Sequence, residues 1–350
     1  MFLVENYLIA VLFCFVTMVC WGSWANTQKL AGKTWRYELF YWDYVFGVVL
    51  TGLLFAITMG NNGGLGRGFF DDLSQAQAGS LVSAFLGGVV FNIANILLVA
   101  AIAIAGMSVA FPVGIGLALV LGVLINFVAD PADGNAVLLF IGVGLVTGAV
   151  ILNAIAYRQL PNQQAGVSTK GLVLAVVCGV LMSLFYFFVG NSLAKVVPEN
   201  GGELLSVTAA NLANGTLETG KLTPYTANFI FTIGILLSNF IVNTIVMVKP
   251  FVGTPVPLTD YFKGTFRDHI WGLVGGGIWA IGMTLNVLAA NVASKAVAYG
   301  LGQGATLVSA IWGVFIWREF RNAPKSANKL LAAMFLFFIV GLTLLILAKL

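Results

Sequence analysis

The sequence has 350 residues, of which 59% are hydrophobic and only 9% are charged, with a formal net charge of +4. Soluble domains carry about 25% charged residues, so this composition excludes an ordinary soluble protein and favours a protein surrounded by lipid. The basic residues are scattered through short loops beside aromatic residues, which is typical of membrane interfaces and argues against nucleic-acid binding. The three cysteines and the single histidine form no ligand-spacing pattern, so we expect no metal and no cofactor.

Ten apolar segments approach the roughly 20 residues that a membrane-spanning helix needs. In chain order they lie near 6–27, 39–59, 79–104, 107–129, 136–157, 171–193, 227–248, 270–291, 296–317 and 328–348. This pattern predicts an all-α integral membrane protein with ten transmembrane helices, multi-pass in the cell membrane. Very short connections, at Ala105–Gly106 and at Ser294–Lys295, predict that the third and fourth helices form a tight hairpin, and that the eighth and ninth do the same.

The loops carry an uneven distribution of Lys and Arg. Twelve of these residues follow odd-numbered spans and five follow even-numbered spans. Because positive charge is enriched on the cytoplasmic side, both termini are predicted to be extracytoplasmic. The one long connection, 194–226, is rich in Asn, Gly and Thr, and it is interpreted as an external linker between two halves.

The two halves of the chain are similar to each other. A shift of 188 residues aligns Gly87, Gly88, Gly114 and Gly116 with Gly275, Gly276, Gly302 and Gly304. We therefore predict two five-helix repeats, 1–160 and 161–350. Five is an odd number, so the second repeat is inverted in the membrane. Inverted repeats are typical of secondary transporters, whose substrate site lies near the midplane between the repeats.

Glycine and proline mark predicted interruptions in two corresponding helices. Pro112, Gly114 and Gly116 lie in the fourth span, and Pro removes a helical hydrogen bond. Gly302 and Gly304 flank Gln303 in the ninth span. Paired interruptions point to the binding region, although tight helix packing alone also explains such glycines.

Asp43 is the candidate proton-coupling residue. It lies about one turn inside the second span. Inserting an aspartate costs about 2.5–3.5 kcal/mol at the bilayer centre, so a carboxylate within a span needs a partner or a wet cavity. Burial raises a carboxyl pKa toward the range in which a carrier can exchange protons. The alternative is that Asp43 pairs with Lys29 or Arg36 near the interface. The single histidine, His269, is interpreted as an interface residue rather than a proton relay.

Amide and aromatic side chains within the spans are the candidate substrate ligands. An amide both donates and accepts hydrogen bonds, which suits hydroxyls, ureas and nucleobase edges equally, and an aromatic ring can stack on a planar ring or on a sugar. Helix–helix hydrogen bonding and an interfacial aromatic belt are the alternatives. The candidates are Trp24, Asn26, Asn92, Asn95, Asn228, Trp279, Asn286 and Gln303.

Several stretches carry a family resemblance: 42–44, 69–75, 87–88, 106–109 and 122–130, with Trp312-Gly313 followed by Glu319 in the second half. Together with the repeat, they resemble the drug/metabolite transporter superfamily and, within it, the ureide permeases. Residues 20–26 are also similar to bacterial sugar carriers, namely the rhamnose–proton symporter and glucose-uptake permeases. The resemblance implies proton-coupled uptake. The plant ureide permeases' long insertion with a phosphate-loop-like motif is missing at 158–170, so nucleotide regulation is not expected.

These features predict a secondary active transporter, not an enzyme. Its partners would be a small uncharged polar solute such as a ureide, nucleobase or sugar, together with protons and the lipid bilayer, and it would import by alternating access. An exporter of drugs or metabolites from the same superfamily is the alternative. An intramembrane enzyme lacks support because no metal or Ser-with-base pattern is present, and a non-transporting scaffold would have no evident need for inverted repeats.

Overall fold

The computed structural model describes residues 1–31, 35–105, 107–130, 135–160 and 168–350, and most of them are helical. Gly106, in the predicted turn of the first hairpin, and residue 161, where the second repeat was predicted to begin, lie outside the described residues. The helices are α1 (Tyr7–Ser23), α2 (Asn26–Leu30), α3 (Tyr37–Ile57), α4 (Phe69–Gln75), α5 (Ala78–Ala105), α6 (Met107–Ala110), α7 (Gly116–Ala129), α8 (Ala136–Arg158), α9 (Thr169–Ser192), α10 (Ala209–Leu212), α11 (Pro224–Val248), α12 (Phe266–Ala293), α13 (Lys295–Gly302), α14 (Ala305–Ile311) and α15 (Lys325–Leu347). Two π-helical turns, Phe111–Ile115 and Trp312–Ile316, and a 3-10 turn, Leu258–Lys263, complete the helical structure.

Nine helical segments in the described ranges are long and apolar enough to cross a membrane, and the 17-residue α1 is a shorter apolar helix. Large apolar side chains such as Leu50, Val128 and Ile241 point outward from the bundle and are exposed. In water this surface would be unfavourable, whereas in hydrocarbon it costs nothing. The chain is therefore an all-α, multi-pass membrane protein.

Non-helical turns interrupt two of the predicted spans. The first, 6–27, ends at Ser23, and a separate helix α2 follows it. The ninth, 296–317, consists of α13, α14 and a π-helical turn, with a break at Gln303 and Gly304. Glycine weakens a helix by about 1 kcal/mol relative to alanine, so Gly302 and Gly304 on either side of Gln303 account for the break.

Polar residues fix where several helices begin. Asn6 and Asn135 accept backbone N–H groups at the starts of α1 and α8, and Thr223 does so for α11, in which Pro224 is the first residue. Thr265 and Asp268 form a reciprocal capping box at the start of α12. Each device satisfies donors that a helix leaves free at its N-terminus.

The helices form two bundles and a flanking pair. In the first bundle, α1 packs against α12 and α14, and α12 packs against α3. In the second bundle, α9 packs against α5 and α7, and α5 packs against α11. The bundles meet where α3 contacts α11 and where α13 contacts α7. The flanking pair is α8 and α15, which pack against each other.

The two bundles and the flanking pair share two ends, which we call face A and face B. Face A carries both termini: the N-terminal ammonium donates to Leu65 O (2.8 Å) and Tyr7 Oη donates to Ile346 O (2.6 Å). Face B carries α2, the connection 249–265 and residues 317–324. The long connection predicted at 194–226 lies on face A, and α11 already begins at Pro224. It contains antiparallel strands β1 (Val196–Pro198) and β2 (Gly215–Leu217) with α10 between them, so it is a small folded cap rather than an open linker.

Candidate functional site

A cavity of about 420 Å³ lies between the two bundles. Side chains from α1, α12 and α14 form one wall, and side chains from α5 and α9 form the other. It extends from the aromatic centre of the molecule to Lys29 and Glu319 at face B, whose side chains are 49% and 31% exposed. The cavity therefore opens at face B.

Aromatic rings form the inner end of the cavity. Trp21 of α1 stacks on Trp279 of α12 with a centroid distance of 5.9 Å and an interplanar angle of 10°. Phe91 of α5 lies 4.4 Å from Trp279, and Phe185 of α9 lies 5.2 Å from Phe91. These rings join the two bundles and present flat apolar surfaces on which a planar or ring-shaped solute can stack.

Five of the residues predicted to bind substrate lie in the cavity wall: Trp24, Asn26, Asn95, Trp279 and Gln303. The Asn26 Oδ1 atom accepts a hydrogen bond from Trp317 Nε1 (2.7 Å), so that amide is fixed at the rim. Asn95 Nδ2 donates to Tyr41 Oη (3.1 Å), so that amide is fixed by a side chain of α3. The Gln303 amide lies at the break between α13 and α14.

The three other predicted amides lie away from the cavity wall and connect helices. Asn92 Nδ2 donates to Ser238 Oγ (3.0 Å), Asn228 Nδ2 to Thr284 Oγ1 (2.8 Å) and Asn286 Nδ2 to Ala298 O (2.9 Å). All three amides are buried. Asn92 lies three residues before Asn95 on the same helix, but only Asn95 is part of the cavity wall.

Asp43 is buried outside the cavity wall, at the face B end of α3. Its Oδ1 accepts a hydrogen bond from Tyr261 Oη (2.5 Å), and both carboxylate oxygens lie 3.0 Å from His269 Nδ1. Burial and the Asp43 carboxylate raise the pKa of the Tyr261 hydroxyl, so it remains a donor at neutral pH. The alternative pairing with Lys29 or Arg36 is absent from this cluster, because Lys29 pairs with Glu319 and Arg36 with Glu38. His269 therefore contacts a carboxylate that sequence spacing, 226 residues apart, could not connect with it.

The predicted interruptions lie close to the cavity. Pro112 and Gly114 are in the π-helical turn that precedes α7, and Gly116 is the first residue of α7. Gly302 is the last residue of α13, and Gly304 precedes α14. A Cβ on Gly302 would lie 2.9 Å from the Trp21 ring, and one on Gly304 would lie 2.8 Å from Met18 Cε. These two glycines thus allow α1 to approach the broken helix closely.

The rim of the cavity contains polar residues that the site prediction missed, namely Lys29, Tyr157, Trp312, Trp317 and Glu319. Lys29 Nζ lies 3.3 Å from Glu319 Oε1, and Tyr157 Oη donates to Glu319 Oε2 (2.8 Å). These residues come from three distant segments at the ends of helices, where charged and aromatic residues are ordinary. The one signal for Glu319 was its place in the family resemblance.

Face A, in contrast, is closed above the cavity. Tyr299 Oη of α13 donates to Ala118 O and Met182 O of the second bundle (3.2 Å each). Asp130, after α7, lies 2.8 Å from Lys195 Nζ and 3.1 Å from Lys295 Nζ. Burial raises the pKa of the Asp130 carboxyl, but the two lysines lower it by more, so the net pKa lies below its ordinary value. The carboxylate is therefore ionised near neutral pH and joins the bundles.

Apolar helices around a central cavity that opens at one end define a multi-pass membrane transporter. A family model described as "Ureide permease" matches residues 40–168 and 167–348. The chain belongs to the ureide permease family, whose members are transporters and not enzymes. The match reaches 348, so the family resemblance extends well into the second half, where the sequence motifs were sparse.

Individual proteins agree with this assignment. The chain is 25% identical to Ureide permease 1 of Arabidopsis thaliana, over 99% of this chain and 98% of the relative. It is 33% identical to the L-rhamnose-proton symporter of Cronobacter sakazakii, over 30% of this chain and 33% of the relative. A solved crystal structure superposes with a TM-score of 0.58 at 13% identity, covering 96% of this chain and 95% of that chain, which supports the fold alone.

Proposed function

We propose that this protein is a secondary active importer of a small uncharged polar metabolite, such as a ureide, nucleobase or sugar, and that it works by proton-coupled alternating access. The observation that carries the proposal is the cavity between the two bundles, open at face B and closed at face A. A carrier needs a central site that is accessible from only one end of the molecule at a time. Rocking one bundle against the other would move the opening from face B to face A.

Helix pairing supports ten spans arranged as two inverted repeats. If α1, α3, α5, the α6–α7 segment and α8 are counted as the first five spans, and α9, α11, α12, the α13–α14 segment and α15 as the second five, the most extensive helix contacts have counterparts five spans away. The packing of α1 on α12 corresponds to that of α9 on α5, and the packing of α3 on α12 corresponds to that of α11 on α5. The flanking pair, α8 and α15, corresponds to itself.

The aligned glycines also make the same type of contact. A Cβ on Gly276 would overlap Tyr44 O and approach Val48 N, four residues further along α3. A Cβ on Gly88 would overlap Phe231 O and approach Ile235 N, again four residues apart, on α11. Two independent helix pairs that touch through the same backbone atoms support the proposed repeats 1–160 and 161–350.

Loop charge supports the orientation. Arg67, Lys195, Lys221 and Lys295, which follow even-numbered spans, all make contacts at face A. Most of the basic residues belong to loops at the other end. The positive-inside tendency therefore favours face B on the cytoplasmic side of the cell membrane and extracytoplasmic termini.

The cavity chemistry fits an uncharged polar ring. Stacked tryptophan supplies apolar contact, and the Asn26, Asn95 and Gln303 amides supply hydrogen bonds to either N–H or C=O groups. The names of the relatives include both ureides and L-rhamnose. Proton coupling is proposed from the name of the rhamnose relative and from the buried carboxylate of Asp43, which has an imidazole, His269, within hydrogen-bonding distance.

The test is uptake by purified protein in liposomes. Allantoin, uracil, glucose, ribose and rhamnose are supplied with and without an inward proton gradient, using the native chain, the Asp43→Asn variant and the Asp71→Asn variant. Asp71 is exposed and lies outside the cavity wall, so it is the matched control. We expect one solute to accumulate only with the gradient, and Asp43→Asn to lose accumulation while it retains exchange.

Two results would count against the proposal. Uptake that ignores both the gradient and the Asp43 substitution would exclude proton coupling through this residue. If no solute enters, but preloaded solute leaves against its gradient, the protein is an exporter of the same superfamily.

A further inference from the structure

One acidic and one basic side chain face each other at the open end of the cavity. Among the described residues that line it, Glu319 is the one acid and Lys29 is the one base. Their charged atoms lie 3.3 Å apart, and Tyr157 Oη donates to the second carboxylate oxygen of Glu319. A solute that exchanges between face B and the stacked Trp21 and Trp279 passes this pair.

The local backbone holds Glu319 in this position. Arg318 has a left-handed backbone (φ 52°), which costs free energy for a residue with a side chain. This turn lets Glu319 N donate to Gly313 O (2.9 Å) and directs the carboxylate toward the rim. Gly313 leaves the necessary space, because a Cβ there would lie 2.5 Å from Tyr157 Oη and 3.0 Å from Glu319 Oε2.

Lys29 is held independently. Its ammonium lies 4.5 Å from the centre of the Trp317 ring, and Trp317 Nε1 donates to Asn26 Oδ1 (2.7 Å). Without Glu319 the ammonium would therefore remain at the rim. An exposed pair of this kind contributes little to folding stability, so neither the strained turn nor the three-part arrangement is explained by stability.

We propose that the Lys29–Glu319 pair is a charge filter in which Glu319 neutralises Lys29, so that the open end does not concentrate anions over uncharged solutes. Glu319 cancels the attraction of Lys29 for an anion, while Tyr157 and the Arg318 turn keep the carboxylate in place. Charges at a narrow opening with low-dielectric walls act on an entering ion more strongly than the same charges on an open surface. The inference rests on the proposed function only in that the cavity is the solute path.

The filter can be tested before any substrate is known, by quenching of tryptophan fluorescence in purified protein. Five of the eight tryptophans, 21, 24, 279, 312 and 317, line the cavity. Iodide, caesium and uncharged acrylamide are the probes, at constant ionic strength. The variants are Glu319→Gln, Lys29→Gln and the double substitution. The matched control is Asp260→Asn, since Asp260 also pairs with a lysine on face B (Lys263, 2.6 Å) but lies outside the cavity wall.

We expect Glu319→Gln to increase the iodide quenching constant by up to about fivefold, the effect of one unit charge about 4 Å away in water. Acrylamide quenching should stay unchanged, which shows that the variant is folded. The Lys29→Gln variant should instead have a larger caesium quenching constant. The double substitution and Asp260→Asn should have the same quenching constants as the native chain.

The charge-filter proposal is wrong if the native chain, Glu319→Gln and Asp260→Asn have equal iodide quenching constants while their acrylamide quenching constants are also unchanged. If Glu319→Gln instead increases acrylamide and iodide quenching together, that variant has lost its structure. The caesium quenching constant of Lys29→Gln then tests the proposal in its place. Because quenching requires no transport, the filter can stand even if the uptake assay finds no solute, and it can fail while uptake succeeds.

Discussion

Asp72 shows how a charged side chain is accommodated at face A. It is fully buried, and its carboxylate accepts from Arg67 Nε (2.8 Å) and from the backbone N–H of Thr223 (2.7 Å). Arg67 also donates to the carbonyls of Glu218 and Lys221, in the cap formed by 194–223. The Asp72 side chain, which belongs to a stretch with family resemblance, thus ties α4 to the start of α11.

We expect Asp72→Ala to destabilise the protein by about 3–5 kcal/mol, because it leaves Arg67 partly buried without its counter-charge. Thermal unfolding followed by tryptophan fluorescence measures the change. The neighbouring residue Asp71 is exposed, so Asp71→Ala is the matched control and should be close to neutral. If the two variants unfold at the same temperature, the buried ion pair does not stabilise the cap.

The buried amides illustrate the limits of reading single residues. Asn26 and Asn95 reach the cavity, whereas Asn92 and Asn228 bond other helices. The residue type is the same in each case, and Asn92 and Asn95 even belong to one apolar helix. The difference lies in which helix packs against that face, and this partner comes from a segment up to 146 residues away.

At the scale of the element, helix contacts through glycine set the geometry of each bundle. Gly276 brings α12 against the backbone of α3, and Gly88 brings α5 against the backbone of α11. Both contacts involve a backbone carbonyl, which cannot rotate away as a side chain can. Close approach of this kind is how helices associate in lipid, where hydrophobicity does not drive helix–helix contact.

We expect Gly276→Ala and Gly88→Ala each to destabilise the fold by about 1–3 kcal/mol through overpacking. The matched control is Gly144→Ala in α8, where an added Cβ meets nothing within 4 Å and helix propensity alone acts. Thermal unfolding of the three variants in detergent makes the comparison. Equal stability of all three would mean that these glycines do not hold the helices at close approach.

At the scale of the whole molecule, the polar contacts at face A are the ones that must break if the carrier alternates. Asp130 with Lys195 and Lys295, and Tyr299 with two carbonyls, join the second bundle to the first. The lowered pKa of Asp130 means that protonation opens this contact only well below neutral pH. Solute and proton binding, rather than ambient pH, would have to supply the change.

We expect Asp130→Asn to shift the population toward a state open at face A. A Gln303→Cys substitution places a thiol in the cavity, in a background where Cys20, the least buried native cysteine, is replaced by Ser. A membrane-impermeant maleimide should label it from face B in the parent and increasingly from face A after Asp130→Asn. The Asp71→Asn variant, on the same face, should label like the parent. Labelling from face A that does not change with Asp130 would exclude this contact as a gate.

The sequence by itself determined the membrane class, the approximate helix bounds and the family, because apolar length and short sequence motifs are local properties of the chain. Only the tertiary structure decided that Glu319 faces Lys29 across the cavity rim, that His269 contacts Asp43, and that Asn92, Asn228 and Asn286 lie away from the cavity wall. In a bundle of this kind nearly every membrane-spanning helix is apolar all round, so periodicity does not mark the face that meets the cavity. That face is set by which helices pack together, a property of pairs of distant segments that no single segment encodes.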